Sequence, residues 1–189
     1  MDSARQKKPS KRWMKYLADI AFFAIVLIGR GSFADHYHVP SGSMEPTLQV
    51  GDRLAVDKSA YGLRIPLTHV WLTEADPQRG DVVVFDSPVD DSTVLVKRLV
   101  GLPGDRIAFD GVHLYLNGQR VPQSFTPEDA RIEHLPGAAH PLHPEPHQGP
   151  PMGEVVVPAR HYLMLGDHRG NSADSRAWGF VPRENLLGR

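Results

Sequence analysis

Hydrophobic positions follow two different rhythms along the chain. Near the amino terminus they run together: LADIAFFAIVLIG, residues 17–29, contains nine consecutive apolar residues from Ile20 to Ile28. A membrane-spanning helix needs about 20 mostly apolar residues. That length is reached by extending the segment from Trp13 to Ala34, with Asp19 and Arg30 near opposite interfaces. Beyond Tyr37 the apolar runs are short and separated by Gly and Pro. Asp81-Val-Val-Val-Phe85 follows the turn residues Arg79-Gly80, and Ile107-Ala-Phe109 leads through Asp110-Gly111 into residues 112–116 and then Asn117-Gly118. Asp-Gly and Asn-Gly beside such runs predict tight hairpins. Residues 155–157 and 162–165 add two strands, and no segment after Tyr37 carries a sustained helical period. The predicted architecture is mostly β, a barrel or a folded-over antiparallel sheet.

Residues 123–153 interrupt this rhythm. EHLPGAAHPLHPEPHQGPPMG, residues 133–153, carries His134, His140, His143 and His147 among closely spaced prolines. Such prolines forbid a helix and favour extended or disordered backbone. No acidic or helical pattern fixes the histidines, so the stretch is expected to be a solvated loop and no metal or other cofactor is expected.

A chain of 189 residues has room for one main core with a small appended lobe. The absence of Cys excludes disulfides, thiolate metal sites and cysteine nucleophiles. Net charge is −1, yet Arg5, Lys7, Lys8, Lys11, Arg12 and Lys15 crowd the first fifteen residues against Asp2. A basic head followed at once by an apolar run reads as the cytoplasmic flank of a membrane segment and not as a nucleic-acid tail. A cleaved leader competes with a retained anchor here, because Ser32-Phe33-Ala34 places small residues where a processing enzyme reads them.

VLVKRLV, residues 94–100, places Lys97 on one strand face between Leu95 and Leu99, with Arg98 on the other. An ammonium among leucines is costly unless it is paired or loses its proton, and a neutral lysine is a base. Pro40-Ser-Gly-Ser43 supplies a hydroxyl such a base would serve, with Gly42 allowing a close turn. Histidines 36, 38, 69, 113, 161 and 168 are alternative bases, but no Gly-x-Ser-x-Gly elbow is present. Lysine replaces histidine in Ser–Lys variants of the triad when its pKa falls to about 7–8. Lys58, beside Asp57 in polar surroundings, reads as an ion-paired surface lysine.

PSGSMEPTL, GDRLAVDKSAYG, RGDVVVFDSP with VLVKRLVGLPGD, and GDHRGNSADSRAWGFVP resemble, in order, the motif boxes of bacterial type I signal peptidases. The resemblance implies Ser43 as nucleophile and Lys97 as general base, with the Ser43 N–H and the Ser41 hydroxyl as the oxyanion hole. It implies that Ser172 orients the lysine amine, that Asp174 and Arg176 support that corner, and that Arg98, Asp167 and Arg169 are structural. It divides the chain into a cytoplasmic tail (1–15), a transmembrane anchor (16–34) and an extracytoplasmic catalytic domain (35–189), with a variable inserted lobe at 117–157. It further implies a single-pass protein of the bacterial inner membrane that cuts exported preproteins after small residues at −1 and −3. Its partners would be signal peptides, the bilayer and the neighbouring translocon. Other readings are a conjugation-type maturation peptidase and a non-enzymatic, membrane-anchored peptide-binding β-domain. The family usually carries Asn-Arg-Asp where this chain has His168, Arg169 and Gly170, which leaves Arg169 without its expected acid.

Overall fold

The computed structural model describes residues 34–62, 73–90 and 92–189, together with Trp13, Tyr16, Leu17 and residues 19–22. The described amino-terminal residues are helical, and Trp13, Tyr16, Leu17, Ile20 and Phe22 are exposed. Among the described residues no helix is long and apolar enough to cross a membrane; most of the expected anchor, 16–34, lies outside them.

The remainder is antiparallel β. In chain order the strands are β1 (Ala34–His38), β2 (Arg53–Asp57), β3 (Val82–Asp86), β4 (Val94–Gly101), β5 (Arg106–Phe109), β6 (Leu114–Leu116) and β7 (Gln119–Arg120). They continue with β8 (Gln123–Phe125), β9 (Arg131–Leu135), β10 (Ala138–Leu142), β11 (Met152–Val156), β12 (His161–Leu165), β13 (Val181–Pro182) and β14 (Leu186–Gly188). A central sheet orders them β13-β12-β4-β3-β14, a second sheet β11-β5-β6-β7, a third β10-β9-β8, and β1 pairs with β2. Backbone bonds between Asp57 and Arg189 join the end of β2 to the end of β14, and bonds of Gly104 and Asp105 with Val157 link the turn after β4 to the end of β11.

The central strands read as continuous apolar runs because both faces of their sheet are covered. Tyr162 and Met164 of β12 join Leu99, Val83, Phe85 and Tyr61 in one cluster. Leu163 and Leu165 join Val100, Ile107, Phe109 and Leu114 in the other. Lys97 shares the parity of Leu95 and Leu99, and Leu99 and the partly buried Leu95 belong to the first cluster.

The Asn117-Gly118 turn is as expected: Leu116 pairs with Gln119, and both turn residues have positive φ, 53° and 79°, as the twist of a two-residue hairpin requires. At Asp110-Gly111 the loop is longer than the tight turn expected. Phe109 pairs with Leu114, and Asp110 accepts from the N–H groups of Val112 and His113, an Asx turn that delays the second strand to Leu114.

The Pro/His-rich stretch departs from its expectation as a solvated loop. Residues 131–142 form the β9–β10 hairpin, in which Pro141 pairs with Ile132. Pro141 is tolerated because β10 is an edge strand, where a missing N–H breaks no ladder on the outer side. His140 and Gln148 are buried, and His143 N–H donates to the Asp167 carbonyl. The stretch packs back on the edge of the fold that carries Asp167 and Arg169.

Candidate active site

Ser43 sits in the short 3-10 turn Gly42–Met44, buried with Met44. The Lys97 Nζ donates to Ser43 Oγ at 2.6 Å and to the Val96 carbonyl at 3.1 Å. Lys97 is only 4% exposed. Burial pushes its amine down from 10.5 to about 8, against the opposing pull of the Asp174 and Asp167 carboxylates. Ser41 Oγ lies 3.4 Å from Ser43 Oγ. Among the described residues no histidine hydrogen-bonds that hydroxyl. His168 reaches the same turn through its backbone N–H, which donates to the Ser43 carbonyl at 3.1 Å.

Ser172 follows the turn Arg169–Asn171, and its Oγ is buried without a hydrogen-bond partner; it makes no bond to Lys97 in this structure. Gly166 explains how the two serines meet. A Cβ there would lie 2.3 Å from Ser172 Oγ and 2.5 Å from the Ser43 carbonyl oxygen, so any side chain would push the two segments apart. Asp174, fully buried, accepts from the Gly166 N–H at 3.1 Å and from Arg176 Nε and Nη2, each at 2.8 Å. Arg176 also donates to the Gln148 and Arg169 carbonyls.

Arg98, on the opposite face of β4, forms a two-pronged pair with Asp167 at 2.8 and 2.6 Å and donates to the Gly80 carbonyl. Thr47, a residue the sequence did not single out, donates to the Asp167 carboxylate. The Ser43 loop is thereby fastened to this ion pair. Lys58 is ion-paired as expected, but with Asp35 at 3.3 Å; Asp57 instead accepts from Ser59.

The missing acid opposite Arg169 is supplied from the inserted lobe. Glu133 of β9 accepts from Arg169 Nη1 at 3.2 Å and Nη2 at 2.5 Å, with both residues buried. His140 lies 3.5 Å from Glu133 and 3.7 Å from Asp167. Burial, reinforced by Arg98 and Arg169, drives its pKa down to about 2 and keeps it neutral. Thr47, Glu133 and His140 carry no local sequence signal for their contacts with Asp167, Arg169 and Asp167, which lie 120, 36 and 27 residues away in the chain.

An antiparallel β-fold in which a lysine of the central strand β4 is buried against a serine hydroxyl holds the groups that a serine peptidase using lysine in place of histidine requires. The chain belongs to the signal peptidase family, peptidase S26, whose model matches residues 10–189. It is 39% identical to a signal peptidase I of Pseudomonas fluorescens over 87% of this chain and 66% of that protein. A probable signal peptidase I-2 of Synechocystis is 35% identical over 98% of this chain and 74% of that protein. The chain thus spans about two thirds of the length of the Pseudomonas relative. A solved signal peptidase I from Enterococcus faecalis is 30% identical, covering 60% of this chain and 96% of that one with a TM-score of 0.41.

Proposed function

We propose that the chain is a membrane-held Ser–Lys endopeptidase that removes signal peptides from exported preproteins. The observation that carries this reading is the 2.6 Å contact between Lys97 Nζ and Ser43 Oγ in a pocket where burial lowers the amine to about 8. An uncharged amine at that distance accepts the hydroxyl proton as Ser43 attacks the scissile carbonyl, then returns a proton to the departing amine. The Ser43 N–H and the Ser41 hydroxyl stabilise the tetrahedral oxyanion. Ser172, with an unpartnered hydroxyl in the same corner, holds the amine as it changes charge. Asp174 and Arg176 fix the segment that bears Ser172.

A groove runs beside the pair, lined by Tyr37, Pro40, Ser41, Leu54, Val84, Leu95 and Lys97. Its apolar walls suit an extended peptide with small side chains at −1 and −3. The basic cluster followed by residues 17–29 holds the enzyme in the bacterial inner membrane, with the β domain on the outer side, where the apolar segments of preproteins and the translocon lie. A purified chain given a preprotein with an Ala-x-Ala site should release the mature protein. Ser43→Ala and Lys97→Ala should each lower turnover by at least about a thousandfold. Equal turnover in all three would leave the pair without a catalytic role.

A further inference from the structure

On the side of the Ser43 turn facing the inserted lobe, three chain segments bring four metal-capable side chains together. Glu45 lies two residues past Ser43, His168 follows β12, and His143 and Glu145 come from the Pro/His-rich stretch. One donor atom each from Glu45, His143 and His168 lies within 4.8 Å of the others. The two imidazole rings stack at 3.8 Å, inclined by 13°. His168 stands between two carboxylates: Nε2 is 3.1 Å from Glu145 Oε1, and Nδ1 is 3.7 Å from Glu45 Oε2 and 3.2 Å from the Gly42 carbonyl.

Each ring nitrogen of His168 thus faces an acceptor oxygen, an arrangement that a cation held between ring and carboxylate stabilises. His168 Nε2 and His143 Nδ1 are both buried without a hydrogen-bond partner, and the His168 side chain is 8% exposed. Buried ring nitrogens left unpaired are uncommon, and a metal ion satisfies such lone pairs directly.

From this geometry we infer that Glu45, His143 and His168, with Glu145 as fourth donor, form a site for a divalent transition-metal ion of the zinc type. Two imidazoles and two carboxylates form a donor set zinc accepts in tetrahedral coordination. Donor atoms around such an ion stand about 3.3 Å apart, so the widest pairs of the cluster close by up to about 1.5 Å on binding. The Glu45 and Glu145 carboxylates and the His143 ring are partly exposed and free to make that movement. His168 is the fixed member, its backbone N–H donating to the Ser43 carbonyl and its ring 8% exposed. The site was not expected from sequence, where no acidic pattern fixes the histidines; the fold brings two carboxylates to them. It stands independently of the peptidase reading, because it is tested by metal binding alone.

The test is calorimetric titration of the chelator-treated full chain with zinc chloride, with cobalt(II) absorption as a readout of coordination geometry. One ion per chain should bind, and cobalt should give the intense visible band of a tetrahedral site. His143→Ala and Glu145→Gln should each weaken zinc at least about tenfold, and His168→Asn should abolish the cobalt band. His147→Ala, in the same stretch but exposed, should bind like the parent. No saturable binding at millimolar zinc would overturn the site. So would parent-like affinity in both His143→Ala and Glu145→Gln, or an equal loss in His147→Ala, which would place the ion on the Pro/His stretch alone.

Discussion

Lys97 is poised by burial, and burial has two opposite consequences. An amine lowered from 10.5 to about 8 has its charged form destabilised by roughly 3 kcal/mol. Between those two values the unfolded chain binds more protons than the folded one, so stability rises with pH across that window, and below about 8 the full penalty is present. Lys97→Met keeps much of the volume and removes the charge. It should therefore stabilise the fold by up to about 3 kcal/mol at neutral pH, a gain that shrinks toward zero at strongly alkaline pH. Urea unfolding of parent and variant at the two extremes measures this. The same variant should abolish cleavage. In the parent, kcat/KM should fall about tenfold per pH unit below the amine's pKa. A flat profile from pH 6 to 9 would mean that a different base serves Ser43.

At the scale of elements, the β9–β10 hairpin acts as a brace. It inserts Glu133 against Arg169, and Arg169 in turn donates through Nε to the Gly166 carbonyl, at the glycine that lets Ser172 approach Ser43. Glu133→Ala would strand a guanidinium buried to 1% exposure. Breaking such a pair costs about 3–5 kcal/mol, whereas replacing both partners by apolar groups is close to neutral. Glu133→Ala should thus lower the melting temperature sharply, and Glu133→Leu with Arg169→Met should recover most of the loss, as thermal unfolding of the double-mutant cycle would show. Lys97 and the Asn117-Gly118 turn were legible in the sequence because their signals are local: two leucines at i±2, and two residues that accept positive φ. Glu133 was not, since nothing near Arg169 in the chain announces an acid 36 residues away. Proline density correctly indicated extended backbone after Leu135. It gave no indication that His140 and His143 would turn inward, because their burial depends on Asp167 and His168 from another part of the fold.

For the whole molecule, two-sided burial of the central sheet explains why its strands were easy to locate and their arrangement was not. Continuous apolar runs mark a strand covered on both faces, but they do not say which neighbours cover it. The β domain begins at Ala34, which pairs with Asp57, and β1 matches β2 residue for residue through His38 and Arg53. The β domain is therefore fastened at its first strand by a full antiparallel pairing. Removing residues 1–33 should leave a β domain with the parent's unfolding profile, released from the bilayer into the soluble fraction. Its kcat/KM on a short soluble Ala-x-Ala peptide should match the parent's, since the Ser43–Lys97 contact is unchanged. On a preprotein embedded in vesicles it should drop by about 10²-fold or more, because enzyme and substrate no longer share one surface and the gain in effective concentration is lost. Vesicle flotation and paired kinetics on the two substrates separate these effects. An equal fall on both substrates would mean that the amino-terminal segment shapes the active site itself, and no fall on either would remove the membrane from the mechanism.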